Sequence, residues 1–257
     1  MLTLFSPAKA NLYFKVLYKR PDGYHQIQTD IVMLDLFDTL TFSFHSEYDL
    51  LTCSCPNLPL DHTNLISKAI ELFRLKTQQR FFVHVHLEKK IPMQAGLGGG
   101  SSNAATTLFA LNQMHGSPFT NHELSEMGAF LGADVSCFFG YGKVRCEGLG
   151  EIITPLPFEE KHFWIVKPEV SLCTATVFKN LRIQEDHSLT NDLEPAAFRL
   201  APLLKNLKQT LFDSSCSEVF MTGSGSAFVC LNKPHLIDPS LKIFETKTVS
   251  RNPSQWY

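Results

Sequence analysis

The sequence predicts an α+β protein of two lobes with an active site in the cleft between them. Its 257 residues suit either one large domain or two modest ones that share a cleft. The first fifty residues carry the β-branched and aromatic runs of strands, and helical and strand patterns then mix irregularly. Because strands and helices do not alternate as regular βαβ units, a doubly wound parallel sheet is not expected.

Two long strands come first and are joined by a tight turn. Residues 11–18 and 27–36 are rich in β-branched and aromatic side chains, and residues 40–44 continue the pattern. Between the first two stands Pro21-Asp22-Gly23, in which proline presets φ and glycine accepts a positive φ. This order predicts a strand, a turn and a second strand.

Helices and further strands follow on the spacing of apolar residues. Residues 64–75 place their apolar side chains on one face of a helix. A glycine-rich loop precedes a second helix, for which Ser101 or Ser102 is the expected N-cap. The other elements predicted in this part of the chain are a strand at 81–87, a helix at 121–131 and strands at 143–147 and 163–167.

A domain boundary is predicted after residue 154, where prolines and acidic residues cluster. It separates an N-terminal domain at 1–154 from a C-terminal domain at 155–257. In the second domain, a helical stretch at 191–212 is interrupted by two prolines, and a hairpin is expected around Gly223-Ser224-Gly225. Residues 233–257 show little pattern, so no element is assigned to them.

Composition excludes several classes of protein. Charged residues make up 19% of the chain and the formal net charge is -2, so no basic face for a nucleic acid is expected. No apolar run is long enough to span a bilayer, and the N-terminus lacks the features of a targeting peptide. Seven cysteines without metal-ligand spacing indicate reduced thiols. We expect a soluble cytoplasmic protein with no nucleic-acid or membrane partner, and nothing in the sequence indicates its oligomeric state.

The segment Gly96-Leu97-Gly98-Gly99-Gly100-Ser101-Ser102-Asn103 predicts a phosphate cradle. Glycines let the backbone approach a ligand closely, and the free N–H groups that begin the next helix attract an anion. The segment is not a P-loop, because no Lys-Ser or Lys-Thr follows the glycines. Ser101 also replaces the third glycine of a dinucleotide fingerprint. The alternatives are a tight turn without a ligand and, more remotely, a dinucleotide-dependent oxidoreductase.

Three segments in order resemble the motifs of the GHMP kinase superfamily, which includes galactokinase, homoserine kinase and mevalonate kinase. They are residues 7–12 (Pro-Ala-Lys-Ala-Asn-Leu), 92–102 and 222–227 (Thr-Gly-Ser-Gly-Ser-Ala). Within that superfamily, residues 20–25 (Arg-Pro-Asp-Gly-Tyr-His) and 131–135 (Leu-Gly-Ala-Asp-Val) are similar to the 4-diphosphocytidyl-2-C-methyl-D-erythritol kinases. The resemblance implies a two-lobed kinase that uses ATP and Mg²⁺ to phosphorylate the 2-hydroxyl of that cytidine substrate in non-mevalonate isoprenoid biosynthesis.

The resemblance also implies two catalytic residues. Asp134 matches the catalytic aspartate of the family, and Lys9 matches the lysine beside it. Since an alcohol is far less acidic than a carboxylic acid, Asp134 would accept the proton late, as the aligned oxygen attacks. Lys9 would stabilise the carboxylate and orient the hydroxyl through charge-assisted hydrogen bonds. The alternatives are a solvated strand lysine for Lys9 and a helix N-cap for Asp134.

Binding residues follow from the same resemblance. An aromatic ring can stack on cytosine while His25 hydrogen-bonds the edge of the base, although Phe178 could equally be a core residue. The residues expected to bind the cytidine substrate are Asn11, Tyr24, His25, Thr174 and Phe178. Those expected to bind ATP are Lys89, Pro92, Gly96, Leu97, Gly98, Gly99, Gly100, Ser101 and Ser102. No protein ligand of Mg²⁺ is indicated.

Other patterns favour less specific interpretations. His84, His86 and Glu88 share one strand face and resemble metal ligands, but alternation predicts a solvated face. Cys137 next to Ser136 could suggest a nucleophile, yet no histidine lies nearby in sequence to activate it. A different alcohol kinase of the superfamily and a non-catalytic nucleotide-binding protein on the same fold are the competing functions.

Overall fold

The computed structural model describes residues 1–183, 189–235 and 238–257. Within them ten strands form a largely antiparallel sheet system. The strands are β1 (Leu2–Lys19), β2 (His25–His45), β3 (Leu50–Cys53), β4 (Phe82–Glu88), β5 (Lys143–Gly148), β6 (Ile152–Pro155), β7 (His162–Lys167), β8 (Val219–Met221), β9 (Phe228–Cys230) and β10 (Lys242–Val249). The helices are α1 (Leu65–Thr77), α2 (Gly99–Met114), α3 (Asn121–Leu131), α4 (Thr174–Lys179), α5 (Glu194–Leu200) and α6 (Leu203–Asp213).

The predicted strand–turn–strand unit forms the long antiparallel pair of β1 and β2, which organises the fold. Farther along, β2 pairs with β4 at one end and with β5 nearer the turn, so one strand supports two neighbours on the same side. Strand β3 runs parallel to β4, and β6 is antiparallel to β5. These strands carry the first lobe.

Strand β10 connects the first lobe to the second. Thr248 and Val249 pair with β2, whereas residues 242–247 pair with β7. On its other side β7 pairs with β9, and β9 forms a hairpin with β8. The predicted hairpin at 223–225 is therefore confirmed, and the strand at 242–249 was not predicted.

In each lobe, helices pack against the sheet and enclose a separate apolar core. Helices α1, α2 and α3 pack on the first sheet, where Phe42, Phe73 and Leu108 are fully buried. A second core under α4, α5 and α6 contains Leu204 and Phe228. The helix over residues 64–75, the helix at 121–131 and the interrupted helix at 191–212 are confirmed within three residues at each end.

The boundary after residue 154 stays a prediction. Several contacts cross it, among them the pairing of β10 with β2 and the packing of Trp256 into the first core, where its ring stacks on Phe109 at 4.7 Å. Of the helices in the described residues, none combines the length and apolar character that crossing a membrane requires.

Candidate active site

A cleft of about 1150 Å³ is lined by residues from both lobes. Its walls are the glycine loop with the first turn of α2, the segment that follows α3, and α4 with the turn between β8 and β9. The predicted site residues that line the cleft are Lys9, Lys89, Pro92, Gly96, Leu97, Gly98, Gly99, Gly100, Ser101, Asp134, Thr174 and Phe178. Residues far apart in sequence thus meet in one cavity.

The three motif segments hydrogen-bond to one another at the floor of this cleft. The backbone N–H of Lys9 donates to the carbonyl of Leu97 at 2.9 Å, which joins the first motif to the second. The backbone N–H of Asn11 donates to Thr222 Oγ1 at 3.0 Å, which joins the first motif to the third. Strand β1 therefore holds both loops in place.

Gly96 and Gly98 are required by conformation and by space. Their φ angles are +76° and +67°, which side-chain-bearing residues rarely adopt. A Cβ on Gly96 would lie 2.1 Å from the carbonyl oxygen of Thr222, and one on Gly98 would lie 2.8 Å from Lys9 Cγ. The loop can approach its neighbours this closely only with glycine at both positions.

Helix α2 begins earlier than predicted. Its N-cap is Gly98, and the first helical N–H to find a partner is that of Ser102, which donates to Gly98 O at 2.8 Å. The expectation of Ser101 or Ser102 as N-cap is wrong, because the left-handed Gly98 starts the helix before the serines. The N–H groups of Gly99, Gly100 and Ser101 precede the first intrahelical bond and line the cleft, where they can bind an anion.

Lys9 and Asp134 form an ion pair at the centre of the cleft, with Nζ and Oδ2 3.5 Å apart. The lysine ammonium group also donates to Asn11 Oδ1 at 2.6 Å. Only 3% of the lysine side chain is exposed, compared with 44% of the aspartate side chain. The separation exceeds that of an ordinary N–H···O bond, so an oxygen atom of a ligand can approach both groups.

The backbone around Asp134 belongs to a turn between α3 and a 3-10 helix at Ser136–Phe139. The thiol of Cys137 donates to the carbonyl of Asp134 at 3.1 Å. Burial, with the adjacent Cys146 thiol, raises the pKa of Cys137, so this thiol stays protonated. It therefore anchors the turn and does not act as a nucleophile.

On the wall from the second lobe, Phe178 packs near two aromatic rings carried by β1 and β2. The Phe178 ring lies 5.5 Å from the His25 imidazole and 6.3 Å from the Phe14 ring, measured between centroids. Burial, together with the charge of Lys19, lowers the pKa of His25, so its ring is neutral at pH 7 and offers one donor and one acceptor. Thr174 on the same helix lies 2.8 Å from Ser224, oxygen to oxygen.

Lys89 lies at the start of the glycine loop with its charge paired inside the protein. Its Nζ donates to Asp38 Oδ2 and to the carbonyl of Ile91, both at 2.7 Å. Two of its three N–H bonds are thereby used within the described part of the chain. The group also lies 3.0 Å from the place a Cβ on Gly99 would occupy, so it supports the first turn of α2.

Four predicted residues do not line the cleft. Ser102 is fully buried, and its hydroxyl accepts from Ser6 Oγ at 2.8 Å. Asn11 is buried and accepts a hydrogen bond from Lys9 Nζ, and His25 contacts the cleft residue Phe178. Tyr24 is 64% exposed on the turn before β2. Their roles stay predictions.

Sequence reasoning assigned no role to Thr222, Ser224 or Asp38. The first two lie in a motif segment that was recognised only as a whole. Asp38 is one of three aspartates in strand β2, with Asp30 and Asp35, so the sequence alone does not single it out. Its burial is complete.

No metal-binding cluster of three or more His, Cys, Asp or Glu side chains occurs among residues 1–183, 189–235 and 238–257. His86 and Glu88 are exposed, in agreement with a solvated strand face. His84 Nε2 lies 3.2 Å from the hydroxyl of Thr52 on the neighbouring strand.

Comparison with known proteins identifies relatives over the whole chain. Residues 64–143 match the model of the GHMP kinases N terminal domain. The chain is 43% identical to 4-diphosphocytidyl-2-C-methyl-D-erythritol kinase of Protochlamydia amoebophila, with 100% of this chain and 93% of that protein covered. It is 36% identical to the chloroplastic enzyme of the same name from Arabidopsis thaliana, with 100% and 76% covered.

Solved structures agree with these relatives. A crystal structure of 4-(cytidine 5'-diphospho)-2C-methyl-D-erythritol kinase superposes with a TM-score of 0.80 at 28% identity and covers 97% of this chain and 100% of the other. Homoserine kinase from Cytophaga hutchinsonii gives a TM-score of 0.74 at 17% identity over 97% and 95% of the two chains, which shows a shared fold. The full-length identity and the common fold show that this chain belongs to the 4-diphosphocytidyl-2-C-methyl-D-erythritol kinase family.

Proposed function

We propose that the chain transfers the γ-phosphoryl group of ATP to the 2-hydroxyl of 4-diphosphocytidyl-2-C-methyl-D-erythritol, giving the 2-phosphate and ADP. This reaction belongs to non-mevalonate isoprenoid precursor biosynthesis. The observation that carries the proposal is the Lys9–Asp134 pair beside the free N–H groups that begin α2. An acceptor hydroxyl at the pair and a phosphate at the helix would lie side by side.

The nucleotide is proposed to bind with its phosphates on the glycine loop. Gly99, Gly100 and Ser101 each offer a backbone N–H at the positive end of the α2 dipole. Lys89 supports this turn from below and keeps one N–H bond for the nucleotide. The buried hydroxyl of Ser102 would stabilise the loop through Ser6 and would not touch the nucleotide.

Asp134 is proposed to align the acceptor hydroxyl and to take its proton. A carboxylate cannot deprotonate a free alcohol, so transfer has to accompany attack on phosphorus. The Lys9 ammonium group is held by Asn11 and is already desolvated, so it can orient the same oxygen without being reorganised. Positioning would supply most of the rate enhancement.

The cytidine end is proposed to bind against Phe178 and His25. A pyrimidine ring stacked on Phe178 would bring its polar edge to the neutral imidazole. Thr174 and Ser224 supply hydroxyl groups on the same wall. Tyr24 would reach the base from the exposed turn at residues 20–24.

Mg²⁺ is proposed to arrive with ATP. The ion keeps several waters and takes phosphate oxygens with only one or two carboxylates, so it needs no protein cage. Asp134 and Ser101 line the cleft and carry side-chain oxygen atoms that fit that requirement. When bound, the ion would neutralise charge on the phosphates.

We also propose that the protein works in the cytoplasm as a small-molecule enzyme. All seven cysteines are free, which suits a reducing compartment. The proposal names no nucleic-acid or membrane partner.

Phosphorus NMR tests the proposed reaction directly. Purified protein with ATP, Mg²⁺ and the cytidine substrate should produce ADP and a new phosphomonoester signal. Mevalonate, homoserine and galactose should give negligible ADP under the same conditions. Comparable turnover of one of those alcohols would contradict the acceptor assignment, and absence of ADP with every acceptor would contradict the proposed kinase reaction.

A further inference from the structure

Asp38 is a fully buried carboxylate in the middle of β2. It does not line the cleft. Burying a carboxylate is costly unless hydrogen bonds and an opposite charge compensate it. The hydrogen-bond partners of Asp38 therefore indicate the role of this carboxylate.

Each oxygen of Asp38 accepts two hydrogen bonds. Oδ1 accepts from the backbone N–H groups of Lys90 at 2.7 Å and Ile91 at 2.8 Å. Oδ2 accepts from Lys89 Nζ at 2.7 Å and from Asn103 Nδ2 at 3.0 Å. The carboxylate is thus fully satisfied by groups that all belong to the surroundings of the glycine loop.

These partners lie at the two ends of that loop. Residues 89–91 lead into it, and Asn103 follows it in α2. We call the four hydrogen bonds of Asp38 the clamp. Asn103 Nδ2 also donates to Ser6 Oγ at 3.0 Å, and Ser6 donates to Ser102, so the clamp is linked to the first turn of the helix. Residues 92–98 lie between the two clamped ends and form no helix or strand.

We propose that Asp38 is a positioning residue for nucleotide binding: it fixes both ends of the glycine loop, so that the N–H groups at the start of α2 are arranged for phosphate before ATP arrives. It touches neither substrate nor reacting atoms. The proposal rests on the function proposed above. Because a preorganised site does not pay for ordering the loop on binding, loss of the clamp should weaken ATP binding specifically.

A matched control lies three residues earlier on the same strand. Asp35 Oδ1 accepts from Thr246 Oγ1 at 2.5 Å and from the backbone N–H of Lys247 at 2.9 Å. That carboxylate also holds two segments together, but it joins β2 to β10, away from the glycine loop. Asp35→Asn should therefore cost stability without changing nucleotide binding.

The test compares Asp38→Asn with Asp35→Asn by calorimetry with ATP and no acceptor. An amide at position 38 keeps the shape but turns an NH₂ group toward other donors, whichever way it is oriented. We expect Kd for ATP to rise roughly ten- to a hundredfold in Asp38→Asn, the effect of losing a hydrogen bond to a charged group. In Asp35→Asn it should change less than about twofold.

Two further measurements separate positioning from general destabilisation. KM for the acceptor should stay near wild type in Asp38→Asn while KM for ATP rises, and hydrogen exchange should accelerate in peptides from residues 89–103 only. Asn103→Ala removes one of the four hydrogen bonds and leaves the ion pair, so it should fold and raise Kd for ATP by roughly three- to tenfold even if Asp38→Asn does not fold.

Several outcomes would overturn the proposal. Wild-type Kd for ATP in folded Asp38→Asn, or in Asn103→Ala, would show that the clamp is only structural. Equal weakening by Asp35→Asn would show a general effect of lost stability. Wild-type protein that does not bind ATP would overturn the proposed function as well, whereas ATP binding without turnover of the cytidine substrate would leave the role of Asp38 testable on its own.

Discussion

The buried ammonium group of Lys9 lies 3.5 Å from the carboxylate of Asp134, which is exposed to the cleft. The lysine is fixed by Asn11 and by the strand that carries it, and the aspartate lies on a turn. Replacing the aspartate should therefore affect the reaction without loosening the core.

Asp134→Asn should lower kcat by roughly two or more decades, the range expected for loss of a general base. The amide keeps the shape but carries no charge and accepts no proton. Steady-state kinetics measures kcat, and calorimetry should show ATP binding close to wild type. Glu126→Gln, on the exposed face of α3, is the control and should keep its activity. A variant at Asp134 that retains most of its kcat would show that another group aligns the hydroxyl.

Gly98→Ala should reduce catalysis, and Gly116→Ala should not. These glycines flank α2 with φ angles of +67° and +79°, so alanine at either position costs about 1–3 kcal/mol of stability. A Cβ at Gly98 would lie 2.8 Å from Lys9 Cγ, whereas one at Gly116 meets no atom within 4 Å. Displacing Lys9 by about 1 Å should cost up to roughly a hundredfold in kcat.

Melting temperatures and kcat values of the two glycine variants together test whether a methyl group at Gly98 displaces Lys9. Similar melting temperatures with a large difference in kcat would support the expected displacement of Lys9. Equal kcat values would show that the loop tolerates a methyl group at Gly98 by moving away from Lys9.

Phe178→Ala should raise KM for the cytidine substrate by roughly ten- to a hundredfold, as expected from a stacking interaction of about 1–3 kcal/mol. The cytosine lies far from the transferred phosphoryl group, so kcat and KM for ATP should hardly change. Phe198→Ala is the control, because Phe198 packs against the same core and does not line the cleft. A lower melting temperature with unchanged KM would assign Phe178 to the core alone.

Stability should fall below about pH 6.5 because of His115. Its ring lies 4.5 Å from Phe81 and 5.6 Å from Phe73, and its buried Nε2 has no hydrogen-bond partner among the described residues. Burial lowers the pKa of His115 from its ordinary value of 6.5. The folded ring thus stays neutral where the unfolded chain takes up a proton, so stability is fully present above pH 6.5 and is lost as the pH falls toward the folded pKa.

Melting temperatures at about pH 7.5 and about pH 5.5 test this expectation. His115→Phe should melt with a weaker pH dependence than wild type. His122→Asn should keep the wild-type dependence, because His122 is 83% exposed. An unchanged slope in His115→Phe would assign the acid sensitivity to other groups.

The fold was predictable where local pattern and local capping agree. The helix expected at 121–131 is observed at Asn121–Leu131, where Thr120 and Glu123 form a reciprocal capping box. The turn at 20–24 and the long strands beside it also follow from local sequence. The same local evidence misplaced the start of α2, because the left-handed Gly98 starts the helix without a capping side chain.

Strand β10 could not be predicted because its buried positions are polar. Thr246 and Thr248 point inward and are satisfied by Asp35 and by the carbonyl of Glu159, whereas Ile243 is 37% exposed. Hydrophobic alternation is therefore inverted along this strand. Sequence motifs identified the loops of the site. The clamp at Asp38 could not be predicted, because it consists of hydrogen bonds between segments that are far apart in the sequence.

The central place of β10 has a consequence for biosynthesis on the ribosome. Strands β2 and β7 are joined through residues that are translated long after both of them, at 242–249. While those residues are still inside the exit tunnel, one side of β7 is an unpaired sheet edge, and Met33 and Leu34 of β2 lack their β10 partners. We expect the emerging protein to depend on protection from aggregation until this strand is released, and then to complete its sheet in one late step.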